Sequence, residues 1–409
     1  MSKTIRKSTV ALILAAGMLA PAAVRSEQNS PGTHILTFQE SVPPAERARL
    51  AAAAGVEVVK ELPFIDGLLV RLPAFAPAAL QLLSASPAVE GLEENAYRKW
   101  IEAAPAALSP AEPLTLETAL MNTLGRIEFT PRPAKPKEQG SEVPWGIERV
   151  KAPKAWAKTQ GAGVKVAVID TGIDFKHPDI APNYGGGVNV VEEGASPMDD
   201  NGHGTHVAGT IAAVKDNKGV VGVAPKAKVY AIKVLDKDGG GDTEGIVAGI
   251  AWAVKNKMKV INMSLGGPSS AAMTKAVKKA YDAGVTVVAA AGNDPDAPVS
   301  APARYPQSIA VSASTKEDKL AFFSTTGPEI AVIAPGHEIT SLAPGGGYAK
   351  HSGTSMACPH VAGLAALAVS LGASGPKAVR DALAAAAVPL EKLTADQQGK
   401  GMVEADRLR

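Results

Sequence analysis

The hydrophobic pattern changes style twice along the 409-residue chain. Between Thr33 and Trp100 the apolar runs are short and interrupted. His34 to Glu40, Val56 to Leu62, Gly67 to Pro73 and Val89 to Asn95 read as strands, with a turn at Asp66-Gly67. Pro43 to Ala54 reads as a helix with an Ala-rich face. Pro77 to Ser86 reads as a second helix, and Pro77 suits its first position. The order is β-α-β-β-α-β. From Ile101 to Gly140 Pro and Ala dominate, as in APAALSPAEP and TPRPAKPKEQ, which predicts a semi-rigid linker with a short helix around Thr115 to Leu124. From Val143 the runs become long and nearly continuous. Val164 to Ile169, Val229 to Leu235, Val260 to Leu265 and Val285 to Gly292 read as buried strands. Helices are expected from His203, over Thr243 to Lys255 and Ser270 to Ala283, and from Ser355 to Leu371. Apolar strands alternating with helices predict an α/β fold, with a mostly parallel sheet covered on both faces.

The first residues have a different pattern. Lys3, Arg6 and Lys7 precede the apolar run Val10 to Leu19, and Ala20-Pro21-Ala22 or Val24-Arg25-Ser26 offers a small-residue cleavage site. This predicts a secretory signal peptide over 1–26; the run is short for a membrane anchor. Net charge is +2 in a chain that is 46% apolar and 20% charged, so composition implies no nucleic-acid partner and no membrane association once the signal is removed. Cys358 is the one cysteine, which excludes an intrachain disulfide and leaves packing or bound ions as the braces of an exported protein.

Three segments at element boundaries carry chemistry. VAVIDTGID places Asp170 just past a strand. DDNGHGTHVAGT places His203 at a helix start between two glycines. SGTSMACPHVAG places Ser355 at the start of a long helix after Gly353. A serine hydroxyl needs a base to take its proton, and the imidazole needs a carboxylate to fix its tautomer. The order Asp, His, Ser differs from that of the α/β-hydrolases, and Ser355 sits in G-T-S-M-A rather than G-x-S-x-G. A single DTG argues against an aspartic protease, which needs two facing carboxylates. His206 lacks the zincin spacing and reads as structural, as do His177 and His360. Cys358 reads as a small core residue.

These segments, with YAIKVLDKDGGG, INMSLGGP and VAAAGN between them, resemble the subtilisin-like serine proteases from about Val143 to Leu408. The resemblance implies a subtilisin-like peptidase domain over 141–409, in which Asp170 orients the imidazole, His203 is base then acid, and Ser355 is the nucleophile. Asn293 and the Ser355 N–H would bind the oxyanion. Peptide substrates would add as a strand along Gly239, Gly240 and Gly241 and along Ser264, Leu265 and Gly266. The S1 pocket would be walled by Ser264 to Gly266 and Ala290 to Gly292, with Ser300 at its base, implying an apolar residue before the scissile bond. Leu235, Ile246 and Leu265 would line S4. A structural Ca²⁺ is implied at Asp179, Val214, Asp216, Lys218 and Val220, where the two carboxylates and three backbone carbonyls supply oxygens. Ser141 stands where the family brings an amide side chain.

By the same resemblance, 27–100 is a small α+β, ferredoxin-like inhibitory propeptide, joined through the linker 101–140 rather than directly. The chain would be a self-processing, secreted, monomeric endopeptidase, acting through an acyl-enzyme in the extracellular space or periplasm. Its partners would be protein and peptide substrates and its own propeptide. The alternative is an inactive peptide-binding homologue.

Overall fold

The computed structural model describes residues 32–72, 77–101 and 143–409. The expected signal peptide, the body of the linker with its short helix, and Ser141 lie outside these residues.

The first body follows the expected order. Strand β1 (Thr33–Phe38), helix α1 (Pro44–Ala53), strands β2 (Glu57–Leu62) and β3 (Gly67–Arg71), helix α2 (Pro77–Ser84) and strand β4 (Val89–Glu94) form an antiparallel sheet in the order β2-β3-β1-β4. A 3₁₀ turn, Pro63–Ile65, joins β2 to β3, and Asp66 closes it in the left-handed region at φ 51°. One face packs on α1 and α2 through Leu36, Phe38, Leu68, Val70, Ala51 and Leu83. Strand alternation sends Ile35 and Leu69 to the other face, where they join the core of the second body. A two-residue strand, β5 (Arg98–Lys99), ends this part.

The second body is built on a nine-stranded sheet. Its strands are β6 (Lys165–Asp170), β7 (Tyr184–Asn189), β8 (Lys228–Lys233), β10 (Val260–Met263), β11 (Thr286–Ala290), β12 (Ser308–Ser314), β13 (Ile330–Pro335), β16 (Ala387–Val388) and β17 (Met402–Val403). The order is β16-β17-β13-β12-β11-β10-β6-β8-β7, parallel apart from the β16–β17 edge pair. Strand β9 (Gly240–Gly241) pairs with β5, while β14 (Ile339–Ala343) and β15 (Gly347–His351) make a hairpin. One sheet face carries Val166, Val168 and Val288 under helices α3 (His203–Ala212), α6 (Thr354–Ser370) and α7 (Gly375–Ala386). The other carries Ala167, Ile169 and Ile261 under α4 (Thr243–Lys255) and α5 (Ala271–Asp282). α4 begins at a capping Asp242, whose Oδ1 accepts from Gly245 N at 2.7 Å, and α5 at a capping Ser270, whose Oγ accepts from Met273 N at 3.1 Å. α6 is buried from Thr354 to Ala368 because it lies between the sheet and α3 and α7, so its sequence is apolar on all sides. Among the described residues, no single helix is long and apolar enough to cross a membrane.

Candidate active site and cleft

Asp170 is the last residue of β6 rather than the first beyond it, and it is fully buried. β6 lies between β10 and β8, so its carboxyl end opens at the rim where loops of a parallel sheet gather. His203 opens α3. Gly202 caps that helix at φ 113°, a conformation that favours glycine. A Cβ on Gly204 would stand 2.1 Å from the Gly172 carbonyl, so the helix start touches the segment after β6 backbone to backbone. The contact brings His203 Nδ1 to 2.9 Å from Asp170 Oδ1 and 3.0 Å from Oδ2. With its proton on Nδ1, the ring donates to the carboxylate and keeps Nε2 as the basic nitrogen. Burial disfavours the charged ring. The charge and hydrogen bond of Asp170, with Asp199 further off, outweigh it and raise the imidazole above its ordinary value.

Ser355 is the second residue of α6, behind Gly353. Its hydroxyl donates to the Ser264 carbonyl at 3.2 Å, and the Ser264 hydroxyl donates to the Ser355 carbonyl at 2.8 Å. Asn262, fully buried on β10, donates to the Ser264 hydroxyl at 2.9 Å. Asn293 follows β11. Its Oδ1 accepts from Thr354 N at 2.8 Å and from the Thr354 hydroxyl at 3.0 Å, which fixes the amide plane. A Cβ on Gly353 would lie 3.4 Å from Asn293 Nδ2 and 3.6 Å from Ser355 N, so these two nitrogens converge on one glycine.

Sequence reasoning passed over four residues here. Thr354 orients Asn293; its signal is the hydroxyl beside Ser355 in GTS. Thr171 and Asp199 link β6 to α3, and the signal for Asp199 is an acidic residue just ahead of a helix start. Lys233 is a buried cation on β8. It donates to the Thr171 carbonyl at 2.7 Å, the Leu235 carbonyl at 2.8 Å and Asp200 at 2.6 Å, and a lysine inside an apolar strand marks it.

The three histidines expected to be structural, His206, His177 and His360, are buried. His206 pairs with the Ile339 carbonyl, and burial, then His351 and His203, hold it well below the ordinary imidazole value. His177 pairs with the Gly347 carbonyl. His360 donates to the Met356 carbonyl, and burial lowers it to about 4. Cys358 is fully buried, and burial pushes its thiol up.

The cleft edges hold a strand of the first body. Arg98 pairs with Gly241 and Lys99 with Gly240, antiparallel. Trp100 N donates to the Gly239 carbonyl at 3.0 Å, and Gly266 N donates to the Trp100 carbonyl at 2.9 Å. The Trp100 indole, 2% exposed, donates to the Gly241 carbonyl and packs in the cluster of Leu235, Ile246 and Leu265. A Cβ on Gly267 would reach 2.6 Å from its ring. Ser300 stands between the two walls expected for S1. A Cβ on Gly266 would lie 3.0 Å from Ser300 Cβ, and one on Gly292 would lie 2.9 Å from its hydroxyl.

The expected calcium residues come from two segments in contact, Asp179 after β6 and the loop 214–220. Asp179 Oδ2 accepts from Val220 N at 3.1 Å and the Tyr348 hydroxyl at 2.9 Å, and Val214 N donates to the Asp179 carbonyl at 2.8 Å. Asp216 Oδ1 accepts from Lys218 N at 3.0 Å. Burial, then the carboxylates of Asp179 and Asp216, push the Tyr348 phenol up. At Gly219, φ 51°, a Cβ would stand 2.1 Å from Asp179 Oδ2. Carboxylate and carbonyl oxygens of this kind are the donors that a hard, oxygen-seeking cation prefers. Among the described residues, no cluster of three or more His, Cys, Asp or Glu is set to hold a metal.

The subtilase family model matches residues 161–403, the span holding every one of these residues from Asp170 onward. The chain belongs to the subtilase family. It is 47% identical over 274 residues to subtilisin E of Bacillus subtilis (strain 168), an alignment covering 65% of this chain and 71% of the relative. It is 48% identical over 269 residues to the subtilisin of Bacillus pumilus, covering 64% of this chain and 96% of that protein. Subtilisin BL of Lederbergia lenta is 52% identical over 227 residues, covering 55% of this chain and 83% of the relative. The subtilase is a serine endopeptidase, and the inactive alternative finds no support.

Proposed function

We propose that this subtilase is a secreted, self-processing endopeptidase in which Ser355 attacks the scissile carbonyl, His203 takes and returns the proton, and Asp170 holds the imidazole. The observation that carries the reading is the bond from His203 Nδ1 to Asp170, which leaves Nε2 basic. An acyl-enzyme on Ser355 follows, and water attacks it with His203 again as base. Asn293 Nδ2 and Ser355 N, converging over Gly353, donate to the oxyanion; a donor of this subtilisin type is worth about 10²–10³ in rate.

Peptides bind as a strand between Gly239–Gly241 and Ser264–Gly266, in the manner that Arg98 to Trp100 follow. Among the described residues expected to wall the pocket, Ser264 to Gly266 and Ala290 to Gly292, none is acidic, which favours an apolar residue before the scissile bond. The 27–100 segment acts as an inhibitory propeptide: its strand fills the edge that substrate needs, and the first cut falls soon after Trp100, with trimming towards Ser141. Asp179 and Asp216, with the carbonyls of Val214, Lys218 and Val220, would hold a structural Ca²⁺, which would brace the loop electrostatically in a protein without disulfides. Export is supported by the basic and apolar N-terminal pattern, and the processed enzyme acts as a monomer.

The test compares wild type with Ser355→Ala. The wild type sheds 27–100 and cleaves casein; the variant accumulates as precursor and cleaves nothing. Equal processing in the two would transfer the activity to another protein.

A further inference from the structure

Asp199 lies in the loop ahead of α3, 7% exposed. Its carboxylate accepts five hydrogen bonds. Oδ1 takes the Thr171 hydroxyl at 2.9 Å and the backbone N–H of Asn201 at 3.0 Å and of Gly202 at 2.9 Å. Oδ2 takes Thr205 N at 2.9 Å and the Thr205 hydroxyl at 2.6 Å. The Thr171 oxygen accepts in turn from Gly204 N at 3.0 Å. Thr171 follows Asp170 directly, and its N–H donates to Asp170 Oδ1 at 2.7 Å. Gly204 follows His203 directly. One buried carboxylate therefore binds the strand end that carries Asp170 to the helix start that carries His203. Gly202 has no side chain to cap α3, and the N–H groups of its first turn are met by three side chains: His203 N by Asn201 Oδ1, Gly204 N by the Thr171 hydroxyl and Thr205 N by Asp199 Oδ2.

The charges around His203 single out the same residue. Asp170 and Asp199 favour the protonated ring; burial opposes it. From its own helix it faces His206, and from β15 it faces His351; burial holds both below the ordinary imidazole value. Lys233 on β8 is engaged by Thr171, Leu235 and Asp200.

We propose that Asp199 is a positioning residue of the hydrolytic reaction: through Thr171 and Gly204 it fixes His203 against Asp170, and its charge stabilises the imidazolium formed when the serine proton is taken. The proposal rests on the triad reading above and deepens it. A cap that merely held the helix would change the yield of folded enzyme, not the chemistry of the folded fraction.

The experiment uses mature enzyme counted by active-site titration with a serine-directed reagent. Thr171→Val keeps the shape and the Asp199 charge but removes the link. It is expected to lower kcat about tenfold, with KM nearly unchanged and the acid limb of kcat/KM unmoved. Asp199→Asn removes the charge as well. It is expected to lower kcat about 10²-fold and to move the acid limb to lower pH, because His203 loses its second stabilising carboxylate. Should Asp199→Asn fail to mature, the His203 titration followed by NMR in the uncleaved Ser355→Ala chain gives the second readout; its midpoint is expected to fall when Asp199→Asn is added. A kcat per titrated site within about twofold of wild type in either variant, or a midpoint that stays in place, overturns the proposal. Failure of the triad reading is distinguishable, since Ser355→Ala alone would then process and cleave.

Discussion

The nine-stranded sheet has helices of its own on both faces, whereas the four-stranded sheet has α1 and α2 on one face and rests the other on α5. The smaller body thus completes its core with a surface that belongs to the larger one. Ile35, Leu62, Ile65 and Leu69 are buried among residues of α5 such as Met273 and Ala276. Polar contacts surround this patch. Glu93 accepts from Ser270 Oγ at 2.5 Å and Ala271 N at 2.9 Å, at the start of α5. Lys60 pairs with Glu244 at 2.8 Å, Glu90 with Lys275 at 2.7 Å, and Asp66 with Lys279 at 2.6 Å. Lys275 also reaches the Phe38 carbonyl. A small domain buries too little of its own surface to be secure alone, and here the deficit is met by the enzyme that the segment covers.

This asymmetry can be tested most sharply at Trp100. Trp100→Ala empties a buried site that the tail of the small body fills. The isolated segment is expected to inhibit mature enzyme more than 10²-fold less well, since such a truncation costs about 3–5 kcal/mol. An inhibition constant within a few-fold of wild type would place the affinity elsewhere. Calcium removal probes the opposite side. Chelation is expected to cost the mature enzyme stability of about 2.7 kcal/mol, relative to calcium at a hundredfold excess over its dissociation constant. Thermal unfolding with and without calcium measures it; Asp179→Ala should erase the difference. Gly91→Val tests the shared face. A Cβ there would stand 2.6 Å from Ala271 Cβ, and overpacking of this kind costs about 1–3 kcal/mol, read as weaker inhibition at unchanged kcat.

The smallest effect concerns pH. Burial works against the Asp66 carboxylate, but Lys279, Arg47 and Lys275 outweigh it and hold the group below its ordinary value of 3.8. A depressed carboxyl contributes fully above its ordinary value, and the contribution fades as pH falls through the lowered one. Segment affinity should therefore be flat with respect to Asp66 from pH 8 to about 5 and fall only in stronger acid. Raised salt should slow association modestly at neutral pH, because the pairs at the rim are screened. Surface plasmon resonance across pH and ionic strength separates the two.

Much of this was legible in the chain. The predicted helix Thr243 to Lys255 falls on α4 as read, and the four buried runs became β6, β8, β10 and β11 within a few residues. Their legibility has one cause: strands covered on both faces need unbroken apolar runs. The hydrophobic pattern marks no strand between Asn293 and Ser355, yet β12, β13 and the β14–β15 hairpin lie there. Ser308–Ser314 is entirely buried, but serines at 308, 312 and 314 interrupt its apolar run, so hydropathy does not mark it. Its pairing with β11 and β13 supplies what its side chains do not.

The site divides in the same way. Asp170, His203, Asn293 and Ser355 stood out because each sits in a short segment whose glycines and flanking residues are themselves demanded by close backbone approach. The sequence by itself determined which groups can do chemistry, since side-chain type and local spacing are one-dimensional properties. What those groups touch was decided only by folding. That Asp199 binds β6 to α3, that Thr354 turns the amide of Asn293, and that Trp100 occupies the pocket of Leu235 and Leu265 are contacts between segments far apart in the chain. Such contacts exist only after the parallel strands have been brought side by side, and a linear pattern holds no distance between them.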